Sequence, residues 1–157
     1  MIKLLIMDVD GTLTDGKIYM SNNGEIMKAF SIKDGYMISH LKDYEIIPVI
    51  LTGRTSKIVQ NRAEELQIHQ IYQGISNKAD FLTKIMEDNK VCKENVAYIG
   101  DDDNDIECMK KCGLVGCPKD ASIGVISIAD FISPNRGGNG AVRDFIEYIY
   151  KVNGVLE

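Results

Sequence analysis

Leu4-Leu5-Ile6-Met7-Asp8-Val9-Asp10-Gly11-Thr12-Leu13-Thr14-Asp15 is the stretch from which the fold of this 157-residue chain is read. Leu4 to Met7 is a short unbroken apolar run, the pattern of a strand buried on both faces of a parallel sheet. Asp8 and Asp10 follow at the point where the run stops. Residues i and i+2 of an extended chain point the same way, so their carboxylates share one small space. Two negative charges so placed repel each other unless a cation or a proton intervenes. Gly11 permits a sharp turn and Thr12 supplies a hydroxyl there. Ligands of open α/β sheets bind at the carboxyl ends of the strands, so chemistry is expected at this loop.

Outward from this stretch, strands and helices alternate. Gly16 to Ile32 reads as a hairpin, with Ile18 and Met20 before Asn23-Gly24 and Ile26, Phe30 and Ile32 after it. A helix opening at Asp34-Gly35 follows, then a strand over 46–51 ending at Thr52-Gly53-Arg54. Ile58, Val59, Ala63 and Leu66 mark a helical stripe, and Ile71–Gln73 a short strand. Ser76 or Asn77 caps the next helix, Val96–Ile99 is a strand ending at Gly100-Asp101-Asp102-Asp103-Asn104-Asp105, and Leu114–Cys117 and Phe131–Ile132 complete the sheet. Arg136 to Gly140 is a glycine-rich loop before a last helix carrying Val142, Phe145, Ile146 and Ile149. The expected fold is therefore α/β, a Rossmann-like parallel sheet with helices on both faces.

Composition narrows the function. A 45% apolar, 26% charged chain of this length suits one soluble domain, and a net charge of −5 without a basic cluster argues against nucleic acid. No run is long enough for a membrane span or signal peptide, so a cytoplasmic protein is expected. Cys92, Cys108, Cys112 and Cys117 include no C-x-x-C pair and read as scattered reduced thiols. His40 and His69 fall at no strand end that carries the polar groups, and no catalytic role is expected of them.

Asp8 and Asp10, Thr52, Lys78, and Asp101 and Asp105 all lie just after strands or at the helix starts that follow, which brings them to one sheet edge. Acids without His or Cys partners make a hard oxygen site suited to Mg²⁺. Thr52 with the Gly53 N–H makes an anion site, and Lys78 adds a positive charge. A metal, an anion site and a lysine around a carboxylate describe phosphoryl transfer with Asp as nucleophile.

In order, D-x-D-G-T at 8–12, L-T-G at 51–53, Lys78 and G-D-D-x-x-D at 100–105 resemble the four motifs of haloacid-dehalogenase-type phosphatases. The resemblance implies that Asp8 attacks phosphorus and Asp10 is the general acid and base. It also implies that Asp8, the Asp10 carbonyl and Asp101 hold Mg²⁺, that Thr52, Gly53 and Lys78 bind phosphate, and that Asp102 and Asp105 support them. A narrower set, D-G-T-L-T-D-G at 10–16, Lys33-Asp34-Gly35, T-G-R at 52–54, Tyr72-Gln73-Gly74 with Asn77-Lys78, and Gly137 to Arg143, resembles the 3-deoxy-D-manno-octulosonate 8-phosphate phosphatases. Those are capless, tetrameric members in which the hairpin builds the oligomer and a glycine-rich tail reaches a neighbour's site.

The expectation is one domain over residues 1–157, with hairpin 17–32, glycine-rich segment 136–143 and no cap domain. Arg54, Arg62 and Arg143 are the expected contacts to a sugar acid phosphate, and a homotetramer is the expected assembly. The resemblance implies that Arg54 after T-G favours the eight-carbon substrate, because the similar nine-carbon acid 9-phosphate phosphatases carry an acid there. Two other readings are a silent oligomerisation module, like that fused to sialic-acid cytidylyltransferases, and a response-regulator receiver. A receiver carries its phosphorylated Asp after the third strand, whereas Ile71–Gln73 ends with none.

Overall fold

The computed structural model describes residues 1–156. A six-stranded sheet is built from β1 (Leu4–Met7), β4 (Ile47–Leu51), β5 (Gln70–Tyr72), β6 (Val96–Ile99), β7 (Leu114–Cys117) and β8 (Phe131–Ile132). Every pairing in it is parallel and the strand order is β5-β4-β1-β6-β7-β8. Successive strands step outward from β1 in one direction to β5, then return to its other side with β6 and step outward to β8. The order thus reverses beside β1, and the crevice at such a reversal lies at the strand carboxyl ends. Asp8 begins there.

Side chains within β1 alternate between two cores. Leu5 and Met7 join one and Leu4 and Ile6 the other, all fully buried. The first core is closed by α1 (Ile32–His40), α2 (Lys57–Glu65) and α6 (Ala141–Val152), through Ile38, Val59, Ala63, Phe145 and Ile149. The second is closed by α3 (Lys78–Asp88), α4 (Ile106–Met109) and α5 (Ile123–Ile126), through Leu82, Ile85, Cys108 and Val125. Each buried Leu, Ile or Phe side chain contributes about 1.5–3 kcal/mol relative to exposure, so a strand covered on both faces has no polar alternative. Cys108, Cys112 and Cys117 are buried free thiols in the second core, and burial pushes the Cys112 thiol up to about 12.

The hairpin is shorter than its sequence pattern implied. β2 (Tyr19–Ser21) and β3 (Gly24–Met27) pair antiparallel around Asn22 and Asn23. Ile32 belongs to α1, because Ser31 caps that helix by accepting the Asp34 N–H, so that α1 begins two residues ahead of the expected start at Asp34. Phe30 lies on the connection and packs against the first core.

Candidate active site

The turn after β1 holds itself by backbone bonds. The Thr12, Leu13 and Thr14 N–H groups all donate to the Val9 carbonyl, at 3.1, 2.9 and 3.2 Å. Gly11 takes φ +91°, and a Cβ there would lie 1.9 Å from an Asp101 carboxylate oxygen. Its missing side chain therefore serves the turn and also admits Asp101.

Asp8, Asp101 and Asp105 bring carboxylate oxygens within 4.8 Å of one another. Lys78, the first residue of α3 behind its Asn77 cap, donates to Asp8 at 3.0 Å and to Asp105 at 2.9 Å. Asp105 is fully buried and saturated: it also accepts the Tyr98 hydroxyl at 2.6 Å and the N–H groups of Asp101 and Asp102 at 3.1 and 3.2 Å. It thereby holds Lys78 against Asp8. Asp101 accepts the Thr12 hydroxyl at 3.1 Å. Asp102 accepts the Asp103 N–H at 2.9 Å and caps the turn carrying this cluster.

Charge is concentrated here. Burial, then Asp105, pushes the Asp8 carboxyl above its ordinary value despite Lys78. Burial, then Asp8, pushes Asp101 up as well. Burial alone would lower Lys78, but Asp8 and Asp105 overcome it and hold the ammonium above its usual range. Asp8 and Asp101, all-oxygen donors lacking enough positive charge, fit a hard divalent cation. The Asp10 carboxylate is absent from this cluster, so its contribution to such an ion would be the backbone carbonyl.

Asp10 instead turns toward Lys28, whose ammonium donates to Oδ1. Lys28 also pairs with Glu25 of β3 at 3.2 Å, and its side chain is fully buried. Glu25 accepts the hydroxyl of Ser56, the α2 cap, at 2.5 Å. Sequence reasoning missed Lys28, Glu25 and Ser56. The available signal was a single lysine following Ile26 and Met27, one residue past the end of β3 and three after Glu25.

Thr52 is buried at the end of β4, where its N–H donates to the Tyr72 carbonyl, and Gly53 is exposed beside it. Arg54 stands at the rim, half exposed, 3.9 Å from Asp10 and 3.6 Å from Glu25. Arg62 does not join the site. Its guanidinium donates to Glu65 at 3.1 Å and to the Ser31 carbonyl at 3.3 Å, and it lies over the Phe30 ring. The absence of a side chain at Gly35 makes this possible, since a Cβ there would meet Arg62 at 2.3 Å. Arg143 pairs with Glu147 one turn along α6, at 3.1 Å, and its N–H donates to Asp34. Asp103, an added acid in the motif, accepts the Ser122 hydroxyl at 2.7 Å.

Within one chain the glycine-rich segment lies on that chain's own loop. Gly138 donates to the Thr12 carbonyl at 3.1 Å, and a Cβ on Gly137 would stand 1.8 Å from the Gly11 carbonyl oxygen.

Residues 67–146 match the family model of haloacid dehalogenase-like hydrolases. The chain is 44% identical over 156 residues to the 3-deoxy-D-manno-octulosonate 8-phosphate phosphatase of Escherichia coli K12, covering 99% of this chain and 83% of that one. Identity to the enzyme of the same name from Yersinia pestis is 40% over the same shares. Among solved structures, the Moraxella catarrhalis phosphatase in complex with magnesium, phosphate and KDO superposes with a TM-score of 0.93 at 38% identity, over 98% of this chain and 89% of that chain. The cobalt-bound Haemophilus influenzae phosphatase gives a TM-score of 0.93 at 37% identity, over 98% and 90%. With the acidic cluster, the lysine and the capless sheet all in place, the chain belongs to the 3-deoxy-D-manno-octulosonate 8-phosphate phosphatases of the haloacid dehalogenase-like hydrolases.

Proposed function

We propose that this protein hydrolyses 3-deoxy-D-manno-octulosonate 8-phosphate to the free sugar acid and phosphate, with Asp8 as nucleophile and Asp10 as general acid and base. The observation carrying this reading is Lys78, held between Asp8 and Asp105, at the edge where Thr52 and Gly53 offer an anion site. An Asp8 oxygen attacks phosphorus while Asp10 donates a proton to the departing sugar oxygen, leaving an aspartyl-phosphate on Asp8. Asp10 then takes a proton from the water that hydrolyses it. Lys78, Thr52 and the Gly53 N–H neutralise and orient the phosphoryl oxygens throughout. Asp8, the Asp10 carbonyl and Asp101 would hold Mg²⁺. When bound, the ion supplies positive charge against the phosphoryl group and relieves the repulsion between the two acids.

Arg54 is the cation left for the substrate carboxylate. Arg62 is committed to Glu65 and Ser31, and Arg143 to Glu147. A homotetramer is proposed on the exposed apolar surface of the hairpin, described by Tyr19, Met20, Ile26 and Met27 and continued by Ile32 and Tyr36 of α1. With no cap domain, a neighbouring subunit would supply the wall over the site.

Phosphate release measured across a panel of sugar acid phosphates tests the assignment. The eight-carbon 8-phosphate is expected to give the highest kcat/KM, EDTA to abolish turnover and Mg²⁺ to restore it. Faster hydrolysis of nine-carbon acid 9-phosphates would overturn the substrate, and full activity in chelator would overturn the metal.

A further inference from the structure

Lys28 is the one ammonium in the hairpin region with no exposed side-chain surface, and it faces two carboxylates, Asp10 and Glu25. Burying an ammonium is expensive, and only close, well-placed counter-charges make it tolerable. A lysine serving only solubility would point outward. One serving as a substrate anion site would need free donor capacity and access, both of which half-exposed Arg54 has and Lys28 lacks.

The two oxygens of Asp10 are treated differently. Oδ1 takes the Lys28 ammonium, whereas Oδ2 faces only the Arg54 guanidinium at 3.9 Å, on a side chain that is still 21% exposed. One oxygen is tied down and the other is turned toward the open site. A carboxylate free to rotate about its Cβ–Cγ bond presents either oxygen at arbitrary angles. Proton transfer needs heavy atoms within hydrogen-bond reach, about 2.6–3.2 Å. The brace continues outward, because Glu25 holds Lys28 and is itself held by the Ser56 hydroxyl at the start of α2. The hairpin is thus fastened to the body of the protein through the same carboxylate that steadies Lys28.

We propose that Lys28 is a positioning residue for proton transfer: the hairpin carries it into the site, where it clamps Oδ1 of Asp10 so that Oδ2 is presented to the leaving oxygen. In the first half-reaction the P–O bond to the sugar breaks as the proton on Oδ2 moves to the departing oxygen. In the second, Oδ2 accepts a proton from the attacking water. Lys28 itself exchanges no proton in either step. The proposal rests on the assignment of Asp10 made above.

The test is steady-state kinetics of the full-length Mg²⁺-loaded protein on 3-deoxy-D-manno-octulosonate 8-phosphate and on p-nitrophenyl phosphate, with Lys28→Met, Asp10→Asn and the double variant. For Lys28→Met, kcat on the sugar phosphate is expected to fall about ten- to a hundredfold with KM within about twofold, a fraction of what a proton-transfer group supplies. The loss on p-nitrophenyl phosphate should be several-fold smaller, because a nitrophenolate departs without a proton. In the Asp10→Asn background the Lys28 substitution should add almost nothing, as residues acting through one another are non-additive. Lys28→Met takes the buried cation from between Asp10 and Glu25 and leaves them only the half-exposed Arg54, so Lys28→Met with Glu25→Gln is measured alongside, with a melting curve, and is expected to show the same leaving-group split. A raised KM at unchanged kcat, equal losses on both substrates, or additive losses with Asp10→Asn would each overturn the role of Lys28. Wild-type turnover in Asp10→Asn would instead overturn the assignment of Asp10.

Discussion

As the proposed nucleophile Asp8 needs its charge, yet its surroundings favour the proton. Burial and Asp105 work against the charge, and the Lys78 ammonium at 3.0 Å only partly offsets them. Replacing the attacking oxygen by an amide in Asp8→Asn should abolish phosphate release while removing one buried negative charge. The melting temperature of the metal-free variant is therefore expected to equal or exceed that of the parent near neutral pH. A pH dependence of stability follows from the same groups. Asp8 and Asp101 are both pushed up, and burial raises Asp34 from 3.8 to about 6. A carboxyl raised in the folded state keeps its proton where the unfolded chain has lost it, so its contribution to stability grows as pH falls through the folded value. The metal-free protein should melt higher at about pH 5 than at about pH 8. Excess Mg²⁺ should raise the melting temperature more at the higher pH, because the cation binds where the proton would otherwise sit. Thermal melts at both pH values, with and without the ion, check the direction.

At the scale of elements, the site depends on close approaches that leave no room for a methyl group. The segment preceding α6 meets the turn after β1 so closely that Gly137 abuts the Gly11 carbonyl. Gly137→Ala would force the two apart and move Gly11, Thr12 and the neighbouring Asp10. A fall in kcat of tenfold or more is expected, with destabilisation of about 1–3 kcal/mol as for other overpacked contacts. Urea unfolding beside the kinetic assay separates these effects. The α6 end is anchored by the Asp34 carboxylate of α1, which accepts the Arg143 N–H at 2.9 Å. α1, α6 and the glycine-rich loop thus support one face of the turn after β1. Helix α3 supports the other, where its Asn77 cap accepts the Asp80 N–H at 3.1 Å and fixes the turn that projects Lys78. Asn77→Ala should cost about 1 kcal/mol as a lost cap.

For the whole molecule, the parallel sheet confines chemistry to one edge, and the hairpin rises from that edge with apolar residues outward. Met20 and Ile26 are 61% and 59% exposed on opposite strands of the ribbon. A ribbon of two strands is marginal alone in water and gains stability when covered. Met20→Glu combined with Ile26→Glu should therefore shift the protein to smaller species in sedimentation velocity. If a neighbour forms the wall of the site, KM for the sugar acid phosphate should rise in step, while the variant's binding of Mg²⁺ stays unchanged. A variant that sediments as a monomer and keeps the parent's KM would refute the shared wall.

The linear chain by itself determined the architecture and brought the acidic, Thr-Gly and lysine groups to one sheet edge, for physical reasons that are local. Runs such as Leu4–Met7 and Val96–Ile99, four residues long and stopped by acidic or Gly-Asp segments, fit doubly buried strands, and a short acidic or Thr-Gly segment after a strand falls at the ligand edge of a parallel sheet. The Asn77-Lys78 step was legible for the same reason, since a cap fixes where the next side chain starts. Tertiary structure alone decided which charges meet. Arg54 and Arg62 flank the start of one helix and look equivalent as text, yet Arg54, in the loop before α2, stands at the rim while Arg62, on α2, crosses Gly35 to bind Ser31 and Glu65. Lys28 reads as an ordinary strand-end lysine until the hairpin folds back and buries it between Asp10 and Glu25. Hydrophobic periodicity specifies which side of an element is buried, but the partner of a charge depends on how distant segments pack. The meeting of Lys28 with Asp10 is created only when the hairpin closes over the turn after the first strand.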